Sequence, residues 1–342
     1  MRKGLIQSCG EDLTLLQIDS LSVEYRTLAS TAKAVQDVSI GLEKGETLGL
    51  VGESGSGKST LGLAVMGLIR PPGYVTSGRI VFEGSDLRML SEGALRAVRG
   101  RKIAMIFQDP MTSLNPVKKI GDHYIEYIRA HDPTISEADA RSTAKHVLED
   151  LGIPDTRIDD YPHQFSGGMR QRVMIGLGLA LNPSLIIADE PTTALDVIVE
   201  AQILKLMSDL KSKYSLSLIL ITHNMGVVAE MADRVAVMYA GRLAEVATTT
   251  QIFESPKHPY TQALLDTIPN IEAEDRVLKA ISGTPPDLTD LPTGCPFHPR
   301  CPYAFDRCRA EVPELIQTGE RSEAACFLLE GMLARPSLKS RD

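Results

Sequence analysis

Gly52-Glu53-Ser54-Gly55-Ser56-Gly57-Lys58-Ser59 fits the pattern G-x-x-x-x-G-K-[ST]. Such glycines let backbone N–H groups curl around a phosphate, and the helix that follows adds its positive end. In this setting the Lys58 ammonium reaches the outer phosphates and the Ser59 hydroxyl serves Mg2+. Gly52, Ser54, Gly55, Gly57, Lys58, Ser59 and Thr60 are therefore candidate nucleotide contacts. Far downstream, Leu185–Glu190 (LIIADE) is an apolar run ending in two carboxylates. Asp189 suits a Mg2+ site, and Glu190 suits the polarisation of an attacking water. Between these two halves, Ser166-Gly167-Gly168 opens a run with Val173, Leu177 and Leu181 at helical spacing. A serine cap followed by two glycines leaves free N–H groups, a second anion seat. One nucleotide does not need two seats in one chain. Two chains facing each other do, if each lends its seat to the other's nucleotide.

The elements that must position these groups are legible around them. Leu48–Val51 is a short apolar strand, and Leu61, Ala64, Val65 and Leu68 continue a helix after the loop. Strand, glycine loop and helix is the context a phosphate cradle requires. The 342 residues allow one large domain plus an appendage or two ordinary domains, and 43% hydrophobic content supports a real core. Aromatics are 5% and Trp is absent, which argues against an aromatic-lined sugar or single-strand groove. A net charge of -8 counts against a duplex-DNA binder. The N-terminus shows no apolar run of signal-peptide length, and the longest apolar stretch, Val173–Leu181, has nine residues. A membrane span needs roughly 20. A soluble, cytosolic chain is the expectation, and thiols stay reduced in that compartment.

The chain has five cysteines, four of them in its last fifty residues. Cys295, Cys301, Cys308 and Cys326 are separated by five, six and seventeen residues, and Cys9 stands alone as a lone thiol. Zinc ribbons favour closer pairs, and disulfides do not suit a reducing compartment. An iron–sulfur cubane takes ligands from several directions. Spacing alone leaves iron–sulfur and zinc open. The segment is short and turn-rich, so it could not build its own core, and its expected role is structural. Replacing Cys301 with Ser is expected to leave Lys58-dependent nucleotide binding intact.

Taken together, GESGSGKST, IIADE and FSGGM resemble the phosphate loop, the second nucleotide strand and the signature motif of ABC transporter ATP-binding subunits, over roughly residues 13–270. Gln108 matches that family's Q-loop glutamine, Ala194-Leu195-Asp196 its D-loop and His223 its switch histidine. Tyr25 stands where the family places an aromatic under adenine. Met169 departs from the commoner glutamine. The resemblance implies an α/β fold: a P-loop NTPase of ABC type, with a RecA-like core, an N-terminal antiparallel β-subdomain and an inserted helical subdomain at about 112–180. It implies ATP and Mg2+ at two composite sites. Lys58, Ser59 and Tyr25 of one subunit hold ATP, and Ser166 and Gly168 of the other close over it. Ser59, Gln108 and Asp189 serve the Mg2+, Glu190 is the general base, and His223 and Gln108 sense the γ-phosphate. Gln108 and Ser166 are 58 positions apart, filled by expected helices at Val117–Ala130 and Ser136–Leu151, the second capped through Ser136-x-x-Asp139. That length is too short for the coiled-coil arm of chromosome and repair ATPases.

FQDPMTSLNP, HPYTQALL and GCPFHPRCPYAFDRC resemble the dipeptide, oligopeptide and nickel importer branch more narrowly. That resemblance implies a [4Fe-4S] cluster on the four cysteines, with Zn2+ as the alternative. It also implies an ATPase unit at 13–265, an extension at 266–342 with its cysteine segment at 294–327, and a place at the cytoplasmic face of the inner membrane. The implied partners are a second, homologous ATPase, two transmembrane permease subunits and an extracytoplasmic solute-binding protein, with no nucleic acid. Peptides are the first cargo; nickel, opines, glutathione and oligosaccharides are alternatives. A soluble ABC ATPase acting on nucleic acid or ribosomes is the rival reading.

Overall fold

The computed structural model of the protein describes residues 13–108, 114–193, 195–268 and 281–333. Cys9, Ala194 and the middle of FQDPMTSLNP lie outside the described residues. In chain order the strands are β1 (Thr14–Arg26), β2 (Thr31–Glu43), β3 (Thr47–Val51), β4 (Gly73–Phe82), β5 (Ser85–Asp86), β6 (Ile103–Ile106), β7 (Leu185–Asp189), β8 (Ser217–Thr222), β9 (Arg234–Tyr239), β10 (Arg242–Thr248), β11 (Ile316–Gly319) and β12 (Ser322–Ala324).

Two sheets are formed. The first has the order β2-β1-β4-β5 and is antiparallel. β2 alternates buried and solvent-facing positions along much of its length, as a sheet with one wet face does. The second has the order β11-β12-β10-β9-β3-β8-β7-β6. Its middle strands β9, β3, β8, β7 and β6 pair in parallel. TLGLV, LIIAD and SLILIT are buried at every position, because helices cover both faces of a parallel sheet.

Between β6 and β7 lies a helical insertion with helices Ile120–His131, Glu137–Asp150 and Gly167–Leu179. Its centre is Tyr124, fully buried, whose hydroxyl donates to the Val173 carbonyl at 2.9 Å. Ser136 caps the second helix by accepting the Asp139 N–H at 3.1 Å, as its spacing predicts. The first helix begins three residues later than expected. Asn115 turns the chain instead: its side chain accepts the Val117 N–H and its carbonyl the Lys118 N–H.

The C-terminal segment adds strands to the ATPase sheet. β12 pairs antiparallel with β10, Glu245 opposite Ala324, and β11 extends the edge. Phe297 is 2% exposed and joins the core formed by Val51, Tyr239, Tyr260 and Leu264. A segment too small for its own core borrows one. No helix among the described residues is long and apolar enough to cross a membrane.

Candidate nucleotide site and cysteine segment

The glycine loop sits where β3 ends and the helix Lys58–Val65 begins. Gly57 has a φ of 103°, and a β-carbon there would collide with the Ala34 carbonyl, so the turn requires glycine. Gly57 caps the helix without a side chain, and the first-turn N–H groups stay free to meet an anion. Lys58 Nζ folds back on its own loop, donating to the carbonyls of Gly52 (2.8 Å) and Glu53 (2.9 Å). Burial lowers the Lys58 ammonium's pKa, opposed by the charges of Glu190, Asp189 and Glu53.

β7 delivers the two carboxylates. Asp189 is buried, and its Oδ1 accepts the Ser59 hydroxyl at 2.9 Å. Burial pushes the Asp189 carboxyl up, with Glu190 adding to the effect and Ser59 and Lys58 opposing it. Glu190 leaves the strand with a φ of 48°, a left-handed conformation uncommon for a side chain of this size. Three groups hold its carboxylate. Gln108 Nε2 donates to Oε2 at 2.8 Å, Thr193 Oγ1 donates to the same oxygen at 2.8 Å, and His223 Nδ1 lies 3.1 Å from Oε1. Burial pushes the Glu190 carboxyl upward, but the bonds from Thr193 and His223 and the charges of His223 and Lys58 outweigh it and leave it below its ordinary value. Gln108 follows β6, Asp189 and Glu190 end β7, and His223 follows β8, so three adjacent parallel strands deliver these groups to one edge. Sequence reasoning missed Thr193; its place three residues after Glu190, in the turn leaving β7, was the available signal.

The other expected contacts stand elsewhere. Among the described residues, no side-chain hydrogen bond joins Ser166 to this cluster. Ser166 caps its own helix by accepting the Met169 N–H at 3.3 Å, and Met169 Sδ accepts from Arg157 at 3.4 Å. Gly168 packs on Val199; a β-carbon there would lie 2.5 Å from its side chain. Asp196 caps the helix Val197–Tyr214 by accepting the Val199 N–H at 2.9 Å. Tyr25 is half-buried on β1, its ring against Gly73.

The thiols of Cys295, Cys301, Cys308 and Cys326 are free and line one small cavity with Phe297 and Phe327. Burial, with the neighbouring thiols adding to it, pushes Cys295 and Cys326 up to about 11. Four sulfur donors around one enclosed site suit a cationic metal group, which would relieve both effects. As the chain stands, no three His, Cys, Asp or Glu side chains among the described residues are gathered as the ligands of a metal ion. His298 Nδ1 is occupied by the Cys295 carbonyl at 3.0 Å.

Comparison with known proteins bears directly on this arrangement. The model of the ABC transporter family matches residues 35–193, and that of the oligopeptide/dipeptide transporter C-terminal region matches residues 244–308. The oligopeptide transport ATP-binding protein OppD of Bacillus subtilis is 49% identical over 92% of this chain and 89% of its own length. The chain belongs to the ABC transporter ATP-binding proteins. Within that family, the dipeptide transport ATP-binding protein DppD of Escherichia coli is 45% identical over 95% of this chain and all of its own length. Among solved structures, the ATP-binding cassette MJ0796, a dimer in a post-hydrolysis state bound to ADP and Pi, superposes with a TM-score of 0.61 at 25% identity, covering 69% of this chain and 99% of that one. The fold expected from the sequence, an ABC-type P-loop core with an antiparallel N-terminal sheet, is the fold observed.

Proposed function

We propose that the protein is the ATP-hydrolysing subunit of a peptide importer, with Glu190 as the group that activates water. The observation that carries this is the Glu190 carboxylate held by Gln108, Thr193 and His223 beside the phosphate loop. The names of its relatives support peptide transport as the task.

In this reading Lys58 leaves its loop carbonyls for the outer phosphates, and the free N–H groups after Gly57 hold the inner ones. The oxygens of Ser59, Asp189 and Gln108 form a hard donor set, which fits Mg2+. The ion supplies charge neutralisation on the phosphates. Glu190, kept ionised by its neighbours, orients a water and accepts its proton. In this reading His223 and Gln108, which both bond the Glu190 carboxylate, sense the γ-phosphate. Tyr25 stacks under adenine. Ser166, Gly167 and Gly168 of a second, homologous ATPase close the site, with Asp196 at the junction. Two permease subunits and an extracytoplasmic binding protein complete the importer, with this chain on the cytoplasmic side of the membrane.

The ATPase unit is assigned to 13–265 and the extension to 266–342. Cys295, Cys301, Cys308 and Cys326 are the proposed holders of a [4Fe-4S] group, with Zn2+ as the alternative; such a group would cross-link a segment that has little core of its own.

Reconstitution tests the reading. The chain, combined with its permease and second ATPase in proteoliposomes, should hydrolyse ATP faster when a peptide-loaded binding protein is added. A basal rate unmoved by di- or oligopeptides, but raised by another solute, would keep the ATPase and discard the peptide assignment.

A further inference from the structure

The phosphate loop is held from outside by the cysteine segment. Arg300 lies next to Cys301 in sequence, and its side chain is only 4% exposed. Its two terminal nitrogens grip both oxygens of Glu53, at 2.6 and 3.0 Å. Its Nε donates to the Ser282 carbonyl at 2.9 Å, and Nη1 donates to the Tyr239 hydroxyl at 3.2 Å. The Glu53 N–H donates to the Tyr260 hydroxyl at 2.9 Å, and the Glu53 carbonyl accepts from Lys58. Glu53 is thus fixed at its N–H and its carboxylate, and at its carbonyl until Lys58 turns to the phosphates.

Glu53 is also the one acidic residue in the run Gly52–Ser59. A carboxylate beside a polyphosphate site repels the ligand unless a cation is paired with it. A forked arginine–carboxylate pair with its arginine buried neutralises the carboxylate. We propose that Arg300 supports nucleotide binding by neutralising the Glu53 carboxylate beside the phosphate loop, so the cysteine segment tunes ATP affinity. This rests on the nucleotide reading above and goes beyond it, because it gives the C-terminal segment a share in the ATP site.

The test is equilibrium binding of ATP, ADP and adenosine to the full chain. Arg300→Gln should weaken ATP by about ten- to a hundredfold, ADP by less and adenosine hardly at all. Adding Glu53→Gln to Arg300→Gln should restore ATP affinity to within about threefold of the wild type, because the uncompensated charge is gone. Glu53→Gln alone should tighten ATP binding. This last variant leaves Arg300 in place and keeps the proposal falsifiable if Arg300→Gln fails to fold. Unchanged ATP affinity in Arg300→Gln overturns the proposal, as does a loss that Glu53→Gln does not reverse, or weaker binding in Glu53→Gln alone. Lys58→Ala separates the two readings: if it leaves ATP binding intact, the nucleotide site itself is misassigned.

Discussion

The phosphate loop is a short turn, and the cysteine segment is a turn-rich stretch with one short helix (Asp306–Ala310) and the short strands β11 and β12; the two are positioned in opposite ways. The loop takes its place mainly from chain continuity, with β3 ending at Val51 and a helix starting at Lys58, and Arg300 and Tyr260 add a hold on Glu53 from outside. The cysteine segment is fixed by docking. It borrows an edge on β10, a core slot for Phe297 and an ion-pair partner in Glu53. A site built by continuity can be read as a motif, because its residues are neighbours in sequence. A site built by docking cannot, because its contacts join distant positions, 247 apart in the case of Arg300 and Glu53.

The sharpest way to break the comparison is to strike the nucleotide site alone. Glu190→Gln should keep ATP binding and cut turnover by about 10²–10⁴, the usual share of a general base. Lys58→Ala should lose binding and turnover together. Both variants should leave the C-terminal segment as protease-resistant as in the wild type. If Glu190→Gln hydrolysed ATP near the wild-type rate, the carboxylate held by three side chains would have another role.

The legible part of the protein follows the same division. The glycine loop, Asp189 and Glu190 were assigned from their types and flanking elements, and Gln108 and His223 only through the family resemblance; the folded chain brings them onto one sheet edge. The parallel strands were readable because full burial leaves uninterrupted apolar runs. The helix boundary near Val117 was misjudged, since hydrophobic periodicity cannot see the Asn115 turn. Thr193 was missed because its only signal, a place three residues after Glu190 in the turn leaving β7, is weak in sequence. The largest gap concerns Arg300. An arginine amid prolines and cysteines looks like a solvated charge, and only the tertiary structure buries it against Glu53. The sequence reading expected ATP binding to be independent of the cysteine segment, and that contact is the ground for the coupling proposed above.

A medium-sized effect follows from that contact. The four-cysteine reading predicts brown protein after anaerobic purification, with about four irons per chain. Cys301→Ser should bleach it and open residues beyond about 290 to protease. Because Arg300 precedes Cys301, the same variant should also weaken ATP binding, and adding Arg300→Gln should weaken it little further. Additive losses would mean that the two residues act separately. Colourless protein with one tightly bound zinc per chain would replace the iron assignment and leave the arginine coupling to be measured in the same way.

The smallest expected effect lies where the docked segment meets the ATPase sheet. His258 is fully buried, its Nδ1 accepts the Tyr260 N–H at 2.9 Å, and its ring also bonds the Ala325 backbone. Burial lowers its pKa from 6.5 to about 4. The folded chain therefore binds fewer protons here than the unfolded chain between those values, so stability rises with pH across that window. The contribution is whole above about pH 6.5 and is lost as pH falls toward about 4. By pH 5 the loss is about 2 kcal/mol for this one group. The neighbouring Glu245 carboxyl is raised by burial and titrates in the opposite sense, so the wild type alone does not isolate the histidine. His258→Asn keeps a helix-capping acceptor without the titration. Urea unfolding at pH 7.5 and 5 should show the wild type losing about 2 kcal/mol more than His258→Asn, with protease cutting beyond residue 290 rising first. Equal losses in the two proteins would mean that acid loosens the molecule elsewhere, and that the docked segment is no weaker than the cradle it holds.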